Sequence, residues 1–173
     1  MLNPEIAARH IRLLLLDVDG VLTDGRLYYG NNGEELKAFH IQDGLGIKLL
    51  QRQGIEVGII TGRSSALLAR RTEELGIARV IQGREDKSRA LDELLASDPL
   101  PLEQIAFMGD DLPDLGVMRR VGLAMTVADC STTVASHCHW QARRRGGEGA
   151  VREAAEFILA AQGRLDEAIG AYL

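Results

Sequence analysis

The sequence predicts an α/β fold: a Rossmann-like, doubly wound parallel sheet in one domain. Two observations predict it. Short continuous apolar runs occur at residues 13–16, 57–60 and 105–108, and stretches with helical periodicity lie between them. Continuous apolar runs of this length are typical of parallel strands that are buried on both faces. Strands that alternate with helices require crossover connections, which bring the strands together in one parallel sheet.

The helical stretches follow the strands in order. They cover residues 45–53, 66–75, 87–95, 115–121 and 150–161. Gly54 and Gly76 each come directly after such a stretch, where glycine is favoured because it ends helices. Residues 27–39 break the alternation, since two apolar arms flank a Gly-Asn-Asn-Gly turn at residues 30–33. We therefore expect residues 27–40 to form a β-hairpin flap beside the end of the first strand.

Length and composition exclude several classes of protein. A chain of 173 residues with no internal repeat suits one compact domain over residues 1–173. It is 46% hydrophobic and 26% charged, and its net charge of -5 lacks the basic excess that nucleic acids select. Its apolar runs are too short to span a membrane, and residues 1–10 lack the apolar centre of a signal peptide. Cys130 and Cys138 form neither a zinc motif nor a disulfide framework, which favours a reducing cytoplasm. Together, these observations lead us to expect a cytoplasmic protein without nucleic-acid or membrane partners.

Acidic and hydroxyl side chains follow the predicted strands. Asp17 and Asp19 follow the first strand, Thr61 the second, and Asp110, Asp111 and Asp114 the third, with Lys87 at the start of a helix between the last two. Ligands of doubly wound sheets bind at the carboxyl ends of the strands. A single aspartate there commonly caps a turn or helix, but several clustered carboxylates repel one another unless a cation is bound. Carboxylate oxygens suit Mg²⁺, and Lys87 would neutralise the remaining charge.

In this order, these residues resemble the four motifs of phosphatases of the haloacid dehalogenase superfamily. The resemblance implies a catalytic role for four of them. Asp17 would be the nucleophile that attacks phosphorus, and Asp19 the acid that protonates the leaving oxygen and later activates water. Thr61 would hold the phosphoryl oxygens. Lys87 would orient Asp17 and the phosphate.

The resemblance also implies a bound Mg²⁺ as cofactor. Asp17, Asp110 and the backbone carbonyl of Asp19 would coordinate the ion. Asp111 and Asp114 would support these ligands from behind. Phosphoryl transfer depends mainly on positioning and on neutralising charge, so this small set suffices for the chemistry.

Longer segments resemble one group within the superfamily. Residues 17–25, 30–39, 43–47 and 109–114 are similar to phosphatases that act on 3-deoxy-D-manno-octulosonate 8-phosphate, and the similarity extends from about residue 11 to the last helix. The resemblance implies release of phosphate from this sugar acid during lipopolysaccharide biosynthesis. Phosphatases for nonulosonate 9-phosphates share most of these motifs, so a sialic acid-like substrate is the alternative.

The same resemblance implies a site for a sugar-acid phosphate. Its residues would be His40, Ile41, Gln42, Asp43, Gly44, Lys48, Arg63, Arg71 and Lys87. Carboxylate and phosphate groups require cations, and the planar guanidinium of arginine matches both. A surface role is the alternative for Lys48 and Arg71. His40 and Glu148 depart from the group, which has Asn and Arg at these positions.

The intervals between the motifs leave no room for a cap domain, and the resemblance implies a capless homotetramer. Such a chain would take its lid from a neighbouring subunit. We expect residues 143–173 to form a C-terminal tail and helix. Gly146, Gly147 and Gly149 would make the first part flexible enough to reach the neighbour's site.

Two other classes of protein share some of these parts. A receiver domain of the response-regulator type also combines a parallel sheet, Mg²⁺, Thr and Lys, but it carries its phosphoacceptor aspartate after the third strand. Here the Asp-x-Asp pair follows the first strand. A binding or scaffold subunit without activity would be expected to lack one of Asp17, Asp19, Lys87 or Asp110, and all four are present.

Overall fold

The computed structural model describes residues 3–31 and 35–173, and a six-stranded parallel sheet forms its centre. The strands lie side by side in the order β5 (Arg79–Ile81), β4 (Glu56–Ile60), β1 (Leu13–Leu16), β6 (Ile105–Gly109), β7 (Leu123–Thr126) and β8 (Trp140–Gln141). All neighbouring strands pair in parallel. This arrangement confirms the predicted α/β fold and places the carboxyl ends of β1, β4 and β6 at one edge of the sheet.

Helices cover both faces of the sheet. They are α1 (Pro4–Ala8), α2 (Ile41–Arg52), α3 (Ala66–Leu75), α4 (Lys87–Ser97), α5 (Leu115–Met118), α6 (Thr132–Ala135), α7 (Ala150–Ala161) and α8 (Leu165–Gly170). Short 3₁₀ turns occupy Leu102–Gln104 and Leu112–Asp114. Within the described ranges, none of the helices has the length and apolar character needed to cross a membrane.

The central strand β1 is buried on both sides, as its continuous apolar run predicts. Leu14 and Leu16 pack into the cluster that contains the apolar side chains of α2 and α7. Leu13 and Leu15 point to the opposite face, where they meet side chains of α4 and α5. All four leucines are completely buried. Because successive side chains of a strand alternate between faces, the four-leucine run ties the two layers of helices together.

Helix α2 begins one turn earlier than the predicted start at residue 45. The His40 side chain caps it, since Nδ1 accepts a hydrogen bond of 3.2 Å from the backbone N–H of Gln42. Gly44 and Gly46 lower the helix propensity of this turn, which explains the wrong boundary. Close packing requires glycine at position 46, since a Cβ there would lie 2.8 Å from the Cα of Arg152 in α7.

The predicted hairpin is present and short. Strands β2 (Tyr28–Tyr29) and β3 (Glu35–Leu36) pair in antiparallel fashion, with Tyr28 opposite Leu36. The predicted turn at residues 30–33 extends into residues 32–34, which lie outside the described part of the chain. The two strands confirm the hairpin, and its function as a flap stays a prediction.

The glycine-rich segment before α7 packs against its own chain, and its role as a lid for a neighbouring subunit stays a prediction. The Gly147 N–H donates to the Val21 carbonyl at 2.9 Å, and the Gly146 N–H donates to Asp129 Oδ1 at 3.0 Å. A Cβ at Gly146 would lie only 1.8 Å from the carbonyl oxygen of Gly20. The segment therefore packs under the loop that follows β1.

Candidate active site

A pocket of about 600 Å³ opens at the carboxyl edge of the sheet, and we call it the carboxylate pocket. Its lining residues are Asp17, Asp19, Gly25, Thr61, Gly62, Arg63, Glu85, Lys87, Asp110, Asp111, Pro113 and Asp114. Every residue predicted for catalysis or metal binding is among them. The structure thus brings together residues that are up to 97 positions apart in the sequence, from 17 to 114.

Asp17, Lys87 and Asp114 form a buried charged triad at the bottom of the carboxylate pocket. Lys87 Nζ lies 2.9 Å from Asp17 Oδ1 and 2.6 Å from Asp114 Oδ1. The side chains of the three residues are between 1% and 9% exposed. Burial opposes the charged form of Lys87, but the two carboxylates raise its pKa, so the ammonium stays protonated. Lys87 therefore holds Asp17 in place and compensates its charge.

Asp114 also organises the turn after β6. Its Oδ2 accepts hydrogen bonds from the backbone N–H groups of Asp110 and Asp111, at 2.9 and 3.2 Å. A Cβ at Gly109 would lie 2.4 Å from the Asp114 carboxyl carbon, so glycine is required where the turn approaches the strand. Asp114 thus connects the orientation of Asp110 with that of Lys87, and its role in supporting the metal ligands stays a prediction.

The loop from Asp17 to Gly25 folds tightly over Asp110. The Val18 carbonyl accepts the N–H groups of Leu22 and Thr23, at 2.9 and 3.0 Å. Gly20 has a φ of +94°, and a Cβ there would lie 2.2 Å from Asp110 Oδ2. Both the backbone angle and the close approach exclude other residues. This is the physical reason for glycine after the Asp-x-Asp pair.

Three carboxylates of the carboxylate pocket could hold a metal ion. Oxygen atoms of Asp17, Asp110 and Asp114 lie within 4.8 Å of one another. Burial, followed by the charges of Asp17 and Asp114, raises the pKa of Asp110 to about 7. Burial and the charge of Asp114 raise the pKa of Asp17 to about 6, although Lys87 opposes this. A bound cation would relieve this unfavourable accumulation of negative charge.

The donor set fits Mg²⁺. Both oxygens of Asp114 already accept hydrogen bonds, from Lys87 and from the turn after β6. Asp17 and Asp110 are therefore the carboxylates that a divalent ion would use, as predicted, and Mg²⁺ commonly binds through one or two carboxylates. The predicted third ligand, the Asp19 carbonyl, belongs to the loop that covers Asp110.

Thr61 and Asp19 also line the carboxylate pocket, after β4 and β1 respectively. Thr61 is 2% exposed, and its backbone N–H continues the sheet by donating to the Ile81 carbonyl at 3.0 Å. Asp19 is more accessible and contacts two cations, Lys37 and Arg63. The Arg63 Nε lies 3.6 Å from Asp19 Oδ2, and the guanidinium extends toward the rim with 41% of the side chain exposed.

The predicted substrate residues are distributed over several surfaces. Arg63 and Lys87 line the carboxylate pocket, whereas His40, Gly44 and Arg71 line a separate narrow crevice. The Arg71 guanidinium lies over the Phe39 ring at 5.9 Å and pairs with a glutamate of its own helix. The substrate roles of His40, Gly44 and Arg71 stay predictions.

The remaining predicted substrate residues have other neighbours in this chain. Lys48 Nζ donates to the Leu75 carbonyl at 2.6 Å, near the C-terminal end of α3. Gln42 Oε1 accepts from Arg144 at 2.7 Å, and Ile41 is 81% exposed. Their roles in substrate binding stay predictions as well.

Asp43 occupies a structural position. Its side chain is buried, and its oxygens accept hydrogen bonds from the N–H groups of Gly149 and Arg152, at 3.3 and 2.8 Å. These are groups at the start of α7 that would otherwise be unpaired. Burial raises the pKa of Asp43, and the hydrogen bonds from the helix partly oppose this. Within this chain, Asp43 joins α2 to α7 rather than facing the carboxylate pocket.

Lys37 is a site residue that the sequence reasoning missed. It lies in the Glu-Glu-Leu-Lys-Ala-Phe segment that carries the resemblance, but it is separated from Asp19 by 18 positions. The contact depends on how the hairpin folds back, which local periodicity does not reveal. Glu85, two residues before Lys87, also lines the carboxylate pocket and was not predicted.

Comparison with known proteins gives a consistent result. A 3-deoxy-D-manno-octulosonate 8-phosphate phosphatase (KdsC) from Yersinia pestis is 50% identical over 163 residues, covering 94% of this chain and 87% of that protein. The crystal structure of such a phosphatase from Y. pestis has a TM-score of 0.93 at 48% identity, covering 95% of this chain and 89% of that one. No protein-family model matches the sequence.

A structure from Moraxella catarrhalis adds the ligands. It is a 3-deoxy-D-manno-octulosonate 8-phosphate phosphatase in complex with a magnesium ion, a phosphate ion and KDO. It aligns with a TM-score of 0.95 at 43% identity and covers 98% of this chain and 97% of that chain.

The parallel sheet and the carboxylate pocket, with its Asp-x-Asp loop, lysine and acidic turn, define a magnesium-dependent phosphatase of the haloacid dehalogenase superfamily. Within that superfamily, the sequence identity of about 50% over nearly the whole chain determines the family. The chain belongs to the 3-deoxy-D-manno-octulosonate 8-phosphate phosphatase family, which confirms the resemblance seen in its motifs.

Proposed function

We propose that this protein hydrolyses 3-deoxy-D-manno-octulosonate 8-phosphate to the free sugar acid and phosphate, through a phospho-aspartate on Asp17. The observation that carries the proposal is the buried triad, in which Lys87 Nζ lies between Asp17 Oδ1 at 2.9 Å and Asp114 Oδ1 at 2.6 Å. A carboxylate held in this way has few rotamers available, so its free oxygen is presented to phosphorus at little entropic cost.

The first step forms the bond between a carboxylate oxygen of Asp17 and phosphorus and breaks the ester bond to the sugar. Asp19 donates its proton to the departing sugar oxygen, which leaves as an alcohol. In the second step water attacks phosphorus, Asp19 accepts a proton from the water, and the bond between Asp17 and phosphorus breaks. Both aspartates return to their starting state, as a catalyst requires.

The negative charge of the substrate must be neutralised for the dianion to approach Asp17. Lys87 supplies one fixed positive charge, and Thr61 would hold a phosphoryl oxygen at the end of β4. Asp17 and Asp110 would hold Mg²⁺, which would contribute the remaining charge neutralisation to the phosphoryl group. Arg63, at the rim of the carboxylate pocket, has the exposure and charge to meet the sugar carboxylate.

We also propose that the chain assembles as a homotetramer. The outer surface of the hairpin supports association, since Leu27, Tyr28, Tyr29 and Leu36 are between 39% and 68% exposed. A contiguous exposed apolar surface of this kind usually marks a protein interface. Size-exclusion chromatography with light scattering measures the assembly directly, and a monomer at micromolar concentration would contradict this part of the proposal.

The cytoplasm is the location that we propose for the reaction. Cys130 and Cys138 are free thiols that are partly buried, and they form no disulfide with each other. Reduced cysteines are typical of a cytoplasmic protein. Fractionation of cells that express the chain, followed by blotting, tests this location.

A phosphate-release assay tests the activity and the substrate together. The purified protein is given 3-deoxy-D-manno-octulosonate 8-phosphate or a nonulosonate 9-phosphate, each with Mg²⁺ and with EDTA. We expect higher kcat/KM for the eight-carbon substrate and no turnover in EDTA. A preference for the nine-carbon substrate would move the proposal to the nonulosonate phosphatases.

Two variants identify the nucleophile. Asp17→Asn keeps the size of the side chain but cannot attack phosphorus, so turnover should be lost. Asp166→Asn, on the exposed surface of α8, removes the same charge and should retain the parent rate. Turnover by Asp17→Asn within a few-fold of the parent would exclude Asp17 as the nucleophile.

A further inference from the structure

The carboxylate of Asp19 is held by two cations that come from different parts of the chain. Lys37, directly after β3, contacts Asp19 Oδ1. Arg63, in the loop after β4, contacts Asp19 Oδ2 at 3.6 Å. The two cations differ in environment, since 3% of the Lys37 side chain is exposed against 41% of the Arg63 side chain.

Burial of Lys37 has a structural consequence. Removing an ammonium group from water costs several kcal/mol unless an opposite charge compensates it. The Asp19 carboxylate, which is 20% exposed, provides that compensation at the inner side of the hairpin. The position of the lysine and the orientation of the carboxylate therefore depend on each other.

The pairing of the two hairpin strands sets the backbone position of Lys37. Tyr28 pairs with Leu36 in the antiparallel register, so the residue after Leu36 is directed by the same pairing. The first arm of the hairpin follows the loop that begins at Asp17. The chain thus leaves the active site at Asp19, turns through the hairpin and returns to Asp19 through Lys37, 18 positions later.

We propose that Lys37 is a positioning residue for Asp19: it holds the acid/base carboxylate toward the oxygen of the leaving group. The inference rests on the proposed phosphatase mechanism, in which Asp19 transfers the proton. Lys37 does not line the carboxylate pocket, and it acts on the reaction through Asp19. Arg63 has the looser and more exposed contact, which suits a residue that exchanges Asp19 for a substrate group.

Two substrates with different leaving groups can distinguish a positioning role of Lys37 from a general effect on the structure. An alkoxide is a poor leaving group and must be protonated as the ester bond breaks, whereas p-nitrophenolate leaves without a proton. The parameter kcat/KM reports the steps up to formation of the phospho-aspartate, so it includes this proton transfer and excludes the later attack of water. Misplacing Asp19 should therefore reduce kcat/KM for a sugar phosphate much more than for p-nitrophenyl phosphate.

The experiment compares Lys37→Met with the parent on these two substrates. Methionine keeps an unbranched apolar stem and removes the charge. We expect kcat/KM for 3-deoxy-D-manno-octulosonate 8-phosphate to fall about 100-fold, and that for p-nitrophenyl phosphate to fall less than about fivefold. Lys37→Arg, which retains a cation, should recover most of the lost activity on the sugar phosphate.

Arg26→Met is the matched control, because it removes an exposed cation from the first arm of the same hairpin. It should leave both values unchanged. An equal loss on both substrates by Lys37→Met, or no loss on either, would overturn the proposal. Turnover of p-nitrophenyl phosphate that depends on Mg²⁺ and Asp17 tests the phosphatase mechanism separately, so the two hypotheses can fail independently.

A double variant keeps the test valid if Lys37→Met alone does not fold. Removing both members of a buried ion pair leaves no single charge buried, so Asp19→Asn with Lys37→Met should fold. If the lysine acts through Asp19, the double variant should have the same kcat/KM as Asp19→Asn alone on the sugar phosphate. A further loss of tenfold or more would show that Lys37 has a separate role and would overturn the proposal.

Discussion

Replacing Asp110 by asparagine should stabilise the metal-free protein at neutral pH while it abolishes metal binding. Burial and the charges of Asp17 and Asp114 raise the pKa of Asp110 from 3.8 to about 7. The difference between a pKa of 3.8 and one of about 7 corresponds to about 4 kcal/mol, which is the most that Asp110→Asn could gain in EDTA at about pH 8. Asparagine has the same size and carries no charge, so the packing against Gly20 is retained.

The sign of the pH dependence follows from the raised pKa. Well below pH 3.8 the Asp110 carboxyl is protonated in the folded and the unfolded protein, and its contribution to stability is fully present. That contribution is lost as the pH rises through about 7, because the folded protein must then bury a negative charge. The advantage of Asp110→Asn over the parent should therefore shrink by more than half between about pH 8 and pH 5.

Urea unfolding in EDTA at several pH values measures the two free energies of unfolding. Asp111→Asn is the control, since Asp111 belongs to the same turn and is exposed. In excess Mg²⁺ the order should reverse, because the parent gains stability from binding and the variant does not. If Asp110→Asn is less stable than the parent in EDTA at pH 8, or if the difference does not depend on pH, the electrostatic reasoning is refuted.

Three further predictions follow from the packing around the site. Lys87→Met should reduce phosphate release on the order of 1000-fold, because it leaves Asp17 and Asp114 adjacent without a compensating charge; activity within tenfold of the parent would contradict this. Asp43→Ala should lower the free energy of unfolding by about 1–3 kcal/mol in urea and leave KM unchanged, since it removes acceptors from the start of α7. A raised KM at unchanged stability would instead support the predicted substrate role. Ending the chain after Arg145 should abolish the cooperative unfolding transition in circular dichroism, because α7 contributes many fully buried apolar side chains to the core, and a folded truncated protein would disprove this.

The central part of the fold could be predicted from the sequence because its signals are local. Strands β1, β4 and β6 are continuous apolar runs, and the helices at Ala66–Leu75 and Ala150–Ala161 match their predicted bounds. The short edge strands β5 and β8 were not predicted. They contain two or three residues, include Arg79 and Gln141, and form because a neighbouring strand offers hydrogen-bonding groups. Such pairing is a property of the sheet rather than of the local sequence.

In the candidate site, too, features with a local sequence signal could be predicted and contacts between separate segments could not. Asp17, Thr61 and Asp110 could be brought together by reasoning, because each follows a strand of one parallel sheet and the carboxyl ends of such strands share an edge. The ion pair between Asp19 and Lys37 could not be predicted in this way. It depends on the direction in which a hairpin folds back over its own origin, and a shift of one residue in the register would point the lysine to the opposite face.

The glycine-rich segment before α7 shows that one sequence signal can have two structural causes. Glycines such as Gly146 and Gly147 occur for two different physical reasons: the chain must be flexible there, or a side chain would collide with a neighbouring group. The structure has close approach, since a Cβ at Gly146 would collide with the carbonyl of Gly20 and one at Gly147 would lie 2.5 Å from Thr23. The segment therefore supports the loop that covers Asp110 from below. Because α7 begins directly after this segment and packs on α2, the core of the domain supports the loop that carries Asp19. Asp19, the proposed acid/base residue, is thus held by this supported loop and by the hairpin lysine.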